Sequence, residues 1–196
     1  LDMRNATAAV DRLEKSREFF VEGQAIELFA LLKKSIADSM AKLLTVRDDL
    51  ARTRHKTKID LAENIADILD EYEGQFETYS ICLEKNLEEN VQYLIDVGDL
   101  KAIINNLISN SIKALREIED RTRKIFVELK KVERFVIIKI QDNGCGIDEI
   151  NREKIFDPFF STTQQYGGFG IGLTIVDETL KEYGGALELV DMEIDG

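Results

Sequence analysis

The sequence has few of the residues that mark disulfide-rich, metal-binding and membrane proteins. Its two cysteines, Cys82 and Cys145, lack metal-binding spacing and do not suggest a disulfide framework, which favours a reducing compartment. Cys82 lies in a strand-like run and is expected to be buried. No stretch approaches the ~20 apolar residues of a membrane span, and no signal peptide is visible. We therefore expect a cytoplasmic chain that would reach a membrane only through upstream segments absent from this sequence.

Basic residues are also scarce. The chain has 26 Lys and Arg against 38 Asp and Glu, so its formal net charge is −12. A surface this acidic repels a phosphate backbone, and we expect no nucleic-acid partner. A single nucleotide is not excluded, because local groups would bind it. The 196 residues, of which 44% are hydrophobic, suffice for one large domain or two small ones.

The first part of the chain contains no proline and a single glycine, Gly23. After Gly23 the apolar residues repeat at spacings of three, four and seven, which predicts a narrow helical seam. These residues are Leu28, Leu32, Ile36, Met40, Leu43 and Leu50. Two antiparallel helices that turn at Gly23 have too little core alone, so we expect two copies to form a four-helix dimer. We assign residues 1–57 to this dimerisation hairpin.

Residues 58–196 contain both helical and strand-like patterns. We predict helices at 61–69, at 100–115 and within 169–183, and strands at 79–83, 125–129, 135–140 and 186–192. Residues 130–133 would join two of these strands as a hairpin. The final Asp195-Gly196 is a turn signal with no return strand after it, so we expect the last strand of the domain to be missing.

The first motif places two amide side chains on one face of a predicted helix. Asn106 and Asn110 are four residues apart, so both amides project from the same side. An amide oxygen is a hard ligand that suits Mg²⁺, which takes its other ligands from water and phosphates. Lys113 follows closely enough to contact a phosphate. A polar helix face exposed to solvent is the alternative interpretation.

The second motif is an acid followed by a glycine-rich turn. Asp142 comes directly after an apolar predicted strand, and Gly144 and Gly146 follow it. A carboxylate at a strand end can accept a hydrogen bond from an amine such as that of adenine. The glycines would let the backbone approach a flat base closely. An ordinary Asn-Gly turn is the alternative.

The third motif is a glycine-rich loop at 167–172, before a helix predicted to begin near Leu173. Free N–H groups at a helix start bind phosphates. The loop is not a P-loop, because no Gly-Lys-Ser/Thr follows, and the acid of a dinucleotide-binding fold is missing. The only proline, Pro158, lies among three phenylalanines that would anchor the polar segment 161–167, a candidate lid.

The order of these motifs resembles that of the histidine-kinase ATP-binding domain, a member of the ATPase superfamily shared with gyrase, Hsp90 and MutL. Its N, G1, F and G2 boxes correspond here to Asn106 to Asn110, Asp142 to Gly146, Phe156 to Phe160 and Gly168 to Gly172. The resemblance covers residues 59–196. Together with the predicted elements, it implies an α+β fold: a helical hairpin, then an α/β sandwich whose mixed sheet is covered by helices on one face.

The resemblance also implies a function and a set of site residues. Residues 58–196 would bind Mg-ATP for phosphoryl transfer in two-component signalling, in a homodimer whose partner is a response-regulator receiver domain. Asn110 would be the Mg²⁺ ligand, Lys113 a phosphate contact and Asp142 the adenine-binding acid. The glycines that would flank the triphosphate are Gly168, Gly170 and Gly172. The other implied ATP-site residues are Asn106, Gly144, Gly146, Phe159 and Leu173.

The resemblance breaks at the residue that would receive the phosphoryl group. The family's acceptor box reads His-Glu/Asp-Leu-Arg-Asn/Thr-Pro-Leu-Ala, and the start of this chain aligns with it so that Leu1 occupies the histidine position. Asp2 would be the acid/base partner and Asn5 a γ-phosphate contact. Leucine has no nucleophilic nitrogen, so we predict ATP binding without normal autophosphorylation. The only histidine, His55, lies among basic residues without an adjacent acid and is the weaker candidate acceptor.

Two other functions remain open on sequence alone. A pseudokinase would use nucleotide binding to tune a dimeric scaffold for partner contacts. A gyrase-type ATPase clamp would need a water-activating acid beside Asn106, which stands where those ATPases place a glutamate. The nearest acids, Asp99 and Glu117, lie more than one helical turn from Asn106 along the chain. The clamp is therefore the least favoured of the three.

Overall fold

The computed structural model describes residues 55–190, except 117, 159 and 161–169, together with Leu31, Leu32 and Ser35. The chain divides into two compact units, Leu1–Thr53 and Arg54–Gly196. In the first unit the three described residues are helical, and the rest of the predicted dimerisation hairpin lies outside the described residues. The assignment of residues 1–57 to dimerisation and of 58–196 to ATP binding remains a prediction.

The second unit combines strands with helices. In chain order its elements are β1 (Thr57–Asp60), α1 (Leu61–Asp70), α2 (Glu73–Tyr79), β2 (Ile81–Leu87), β3 (Gln92–Ile95), α3 (Val97–Leu115), β4 (Arg123–Val132), β5 (Phe135–Asp142) and α4 (Gly172–Glu182). Two 3-10 turns, Glu149–Asn151 and Lys154–Phe156, lie between β5 and α4. None of the described helices is both long and apolar enough to span a membrane.

The main sheet is mixed, with strand order β2-β4-β5. Strand β4 runs parallel to β2 and antiparallel to β5, so Ile125 lies opposite both Leu83 and Asp142. Alternate β4 residues Ile125, Val127 and Leu129 are fully buried, which places one sheet face against the helices. Strands β1 and β3 form a separate antiparallel pair. The described unit therefore has the predicted α+β fold with a mixed sheet.

Helix α3 is the element that positions the predicted site. It begins at Val97 and is capped by Asp96, whose side chain accepts the amide of Gly98 over 2.8 Å. One face carries a row of buried apolar residues at helical spacing. These residues are Leu100, Ile104, Ile108, Ile112 and Leu115. Because this row fixes the rotation of α3 against the core, the amides of Asn106 and Asn110 lie on a different, half-buried face.

The structure corrects the predicted ends of two elements. The strand predicted at 79–83 begins only at Ile81, because α2 continues through Tyr79 and Ser80 then adopts a left-handed conformation with φ of 52°. The β4–β5 turn is not 130–133, because the ladder continues to the pair Val132 and Phe135. The helices predicted at 61–69, at 100–115 and within 169–183 are present, and α3 starts three residues earlier than predicted, at Val97.

Two further predictions were wrong in the described part of the chain. Cys82 is exposed rather than buried, because it lies on the sheet face opposite to that of Ile81. No strand is present at 186–190, the described part of the strand predicted at 186–192. No described strand pairs with this segment, and a strand requires a partner for its backbone groups.

Candidate functional site

The site is organised along the half-buried face of α3. Asn106 Nδ2 donates to the carbonyl of Ala102 over 2.8 Å, which fixes the amide against its own helix. Asn110 and Lys113 are also half-buried. Within the described residues their side chains make no hydrogen bond or ion pair, so their polar atoms are available to a ligand.

Asp142, the last residue of β5, lies next to α3. Its Oδ1 accepts the amide of Gly144 over 3.0 Å, and its carboxylate also accepts a hydrogen bond from the side chain of Ser111. Burial raises the pKa of the Asp142 carboxyl, and these two hydrogen bonds oppose that increase. A carboxylate has acceptor sites beyond these two bonds, so it can also accept a bond from an amine.

The turn after Asp142 packs directly against α3. A Cβ atom at Gly144 would lie 2.7 Å from Asp142 Oδ1, 2.8 Å from the Cβ of Ala114 and 3.0 Å from its carbonyl carbon. Only glycine allows so close an approach. Gly146 has a φ of 73°, a left-handed conformation that also favours glycine.

Asn143 and Arg121 fix the other side of this turn. Asn143 Nδ2 donates to the carbonyl of Thr122 over 2.7 Å, and its Oδ1 accepts the amide of Lys124 over 2.8 Å. Arg121 Nη2 donates to the carbonyl of Gly144 over 3.1 Å. The turn is therefore held between the start of β4 and the C-terminal half of α3.

The start of α4 approaches the same face of α3. A Cβ atom at Gly172 would lie 2.8 Å from Asn106 Oδ1, so the first residue of α4 is in close contact with that amide. Ile171 precedes α4 and provides no side-chain cap, which leaves first-turn amides for a ligand. Gly170 has a φ of 69°. Leu173 is half-buried in the first turn.

The structure thus brings together residues from all three motifs. Those that converge on α3 are Asn106, Asn110, Lys113, Asp142, Gly144 and Gly172. Gly146, Gly170 and Leu173 lie in the adjoining turns. Leu1, Asp2, Asn5, Phe159 and Gly168 lie outside the described residues. Roles for individual residues remain predictions.

Sequence reasoning missed three residues of this site. Ser111 bonds Asp142, Ala114 contacts the glycine turn, and Asn143 anchors that turn. Ala114 could have been found, because it continues the helical spacing of Asn106 and Asn110. Ser111 lies one residue off that line, and its contact depends on where β5 packs.

The described residues contain no group of three His, Cys, Asp or Glu arranged to bind a metal ion. A magnesium ion bound mainly by a nucleotide's phosphates needs only one or two protein oxygens. The available amide of Asn110 fits that requirement.

The part of the chain that carries this site matches a known protein family. The family described as histidine kinase-, DNA gyrase B-, and HSP90-like ATPase matches residues 95–195, which include α3, β4, β5 and α4. The sensor histidine kinase ZraS of Salmonella typhimurium is 28% identical over all of this chain and 42% of its own length. The alginate biosynthesis sensor protein KinB of Pseudomonas aeruginosa is 25% identical over 91% of this chain and 30% of its own length.

Solved structures show the same fold. The catalytic domain of histidine kinase ThkA has a TM-score of 0.57 and 26% identity, over 65% of this chain and 80% of that domain. ThkA in complex with the response regulator TrrA has a TM-score of 0.57 at 20% identity, over 92% of this chain and 50% of that one. This chain spans less than half the length of the two curated sensor proteins.

Proposed function

Because the chain belongs to the family of histidine kinase-, DNA gyrase B- and HSP90-like ATPases, we propose that its second unit binds Mg-ATP on α3 for phosphoryl transfer in two-component signalling. One observation carries the proposal: the carboxylate of Asp142 and the uncapped start of α4 lie against the same helix. An adenine amine and a triphosphate could therefore be bound at once.

Each residue has a role that its surroundings support. Asp142 accepts a hydrogen bond from the adenine amine, and the glycine turn leaves room for the flat base. The amides at the start of α4 and Lys113 neutralise the phosphates. Asn110 binds Mg²⁺, which neutralises charge on the triphosphate when it is bound. The protein then acts mainly by positioning the reacting groups.

Phosphoryl transfer needs an acceptor that this chain does not supply at the aligned position. The γ-phosphorus would break its bond to the bridging oxygen of ADP and form a P–N bond with an imidazole. Leu1 offers no such nitrogen, whereas Asp2 and Asn5 match the acceptor box. We infer that the chain binds ATP without phosphorylating itself.

Partners follow from the family and remain proposals. We expect a homodimer through residues 1–57 and a response-regulator receiver domain as the phosphoryl partner, as the ThkA complex with TrrA suggests by analogy. Leu1 in place of the acceptor histidine favours a second candidate function, that of a pseudokinase scaffold. A gyrase-type clamp has less support, because Asp99 is buried and accepts the hydroxyl of Tyr183.

The test uses radiolabelled ATP with the intact chain. We expect Mg²⁺-dependent ATP binding and no acid-labile phosphate on the protein. In the presence of Mg²⁺, Asn110→Ala should raise the Kd of ATP about tenfold or more, because the loss of a contact to a charged group costs roughly 1.5–3 kcal/mol. When EDTA removes the Mg²⁺, the same change should have little effect on ATP binding. Asn105→Ala is the matched control, since the Asn105 amide bonds Tyr72 instead. Acid-labile phosphate on the wild-type chain would contradict the role assigned to Leu1.

A further inference from the structure

Tyr183, directly after the last residue of α4, is hydrogen-bonded to residues at the start of α3 and just before it. Its hydroxyl donates to Asp99 Oδ2 over 2.6 Å and accepts the amide of Asp96 over 3.1 Å. Its carbonyl accepts the hydroxyl of Tyr93 over 3.3 Å. Asp99 is only 7% exposed. A hydrogen bond to a charged group away from water is stronger than one between neutral groups, so this contact restrains the end of α4 firmly.

Helices α3 and α4 pack against each other through faces of matching spacing. Helical spacing puts Gly172, Val176, Thr179 and Tyr183 on one side of α4. The same spacing puts Asp99, Ile103 and Asn106 on one side of α3. Val176, Thr179 and Ile103 are buried, as expected if they fill the space between the two ends.

The two ends of α4 are therefore fixed at two points of α3. Gly172 contacts Asn106, and Tyr183 bonds Asp99, which precedes Asn106 in α3. The helices thus run antiparallel. A shift of α4 along α3 would change both contacts together, so the bond at Asp99 limits movement of the glycine-rich end.

We propose that Tyr183 and Asp99 are positioning residues that fix the start of α4 relative to the phosphates of the bound nucleotide. This inference rests on the proposed function. Neither residue touches the nucleotide itself. The adenine end, formed by Asp142, Ser111 and Gly144, contains no residue of α4. Loss of the Tyr183 hydroxyl therefore weakens phosphate contacts and spares adenine contacts.

The experiment compares ATP with adenosine by titration calorimetry on the intact chain. We expect Tyr183→Phe to raise the Kd of ATP about tenfold and to change that of adenosine less than about twofold. Tyr72→Phe is the matched control: it also removes a tyrosine hydroxyl that bonds α3, at Asn105 Oδ1 over 3.1 Å, but away from α4. It should leave both affinities within about twofold of wild type.

A double-variant cycle tests whether the two residues act together. Tyr183→Phe with Asp99→Ala should weaken ATP binding no more than the stronger single variant. Both changes remove the bond between Tyr183 and Asp99, and Tyr183→Phe alone also removes the bond from the Asp96 amide. Urea unfolding of each variant measures stability separately. The positioning role is overturned if Tyr183→Phe lowers stability but keeps the wild-type ratio of ATP to adenosine affinity. It is also overturned if the losses in ATP affinity of the two single variants add fully in the double variant. A wild-type chain that binds neither ligand overturns the proposed function instead.

Discussion

Gly144 provides the sharpest test of the packing at the site. An alanine methyl there would lie 2.7 Å from Asp142 Oδ1 and within 3.0 Å of two atoms of Ala114. One of those atoms is the Ala114 carbonyl carbon in the backbone of α3, which a side-chain rotation cannot move. Overpacking of this kind costs roughly 1–3 kcal/mol. Because relief requires the turn to leave α3 or Asp142 to rotate, the adenine site would change as well.

The assay combines urea unfolding with ATP titration. We expect Gly144→Ala to lower the free energy of unfolding by roughly 1–3 kcal/mol and to weaken ATP binding by about tenfold or more. Gly74→Ala is the control, because no atom lies within 4 Å of its added Cβ and its φ is not left-handed. In helix α2 that change should be neutral or stabilising by up to about 1 kcal/mol. Equal stability and equal ATP affinity in the two variants would refute the close approach of the turn to α3.

Two further predictions concern Asp142 and Gly172. Burial raises the pKa of Asp142 above that in the unfolded chain, so the folded state binds the proton more tightly and stability falls as pH rises from about 4 through the raised pKa. Asp142→Asn should reduce this loss of stability with rising pH, which urea unfolding at several pH values measures. A variant with the pH dependence of the wild type would contradict the prediction. Gly172→Ala meets only the side chain of Asn106, whose amide can rotate by giving up its hydrogen bond to Ala102. It should therefore destabilise the fold less than Gly144→Ala, by about 1 kcal/mol, the cost of one lost hydrogen bond. It should nevertheless weaken ATP binding more than adenosine binding, and an equal loss for both ligands would be contrary evidence.

The sequence predicted the features that depend on local pattern. The apolar spacing of α3 was sufficient to predict a helix, and the spacing of Asn106 and Asn110 placed their amides on one face. The order of the motifs predicted the family that the comparison with known proteins then identified. These features follow from helical periodicity and from chain order, which need no knowledge of packing.

The features that were missed depend on tertiary contacts. Ser111 reaches Asp142 only because β5 ends beside α3, and Tyr183 reaches Asp99 only because α4 runs antiparallel to α3. The predicted burial of Cys82 was wrong because side chains alternate between the two faces of a strand. Which of the two faces packs against the core depends on the neighbouring elements. The strand β1, at Thr57–Asp60, is short and pairs with a distant partner, β3. No local signal specifies such a pair.

If Asp142 binds the amine of adenine beside α3, as proposed, the wild-type chain must distinguish ATP from inosine triphosphate. Calorimetric titration with each nucleotide in Mg²⁺ measures this difference. Inosine has a carbonyl where adenine has the amine, so it would face the carboxylate with an acceptor, at a cost of roughly 1–3 kcal/mol. We expect one ATP to bind per chain, and we expect the Kd of inosine triphosphate to be at least about tenfold higher than that of ATP. Equal affinity for the two nucleotides, or no binding of ATP, would contradict it.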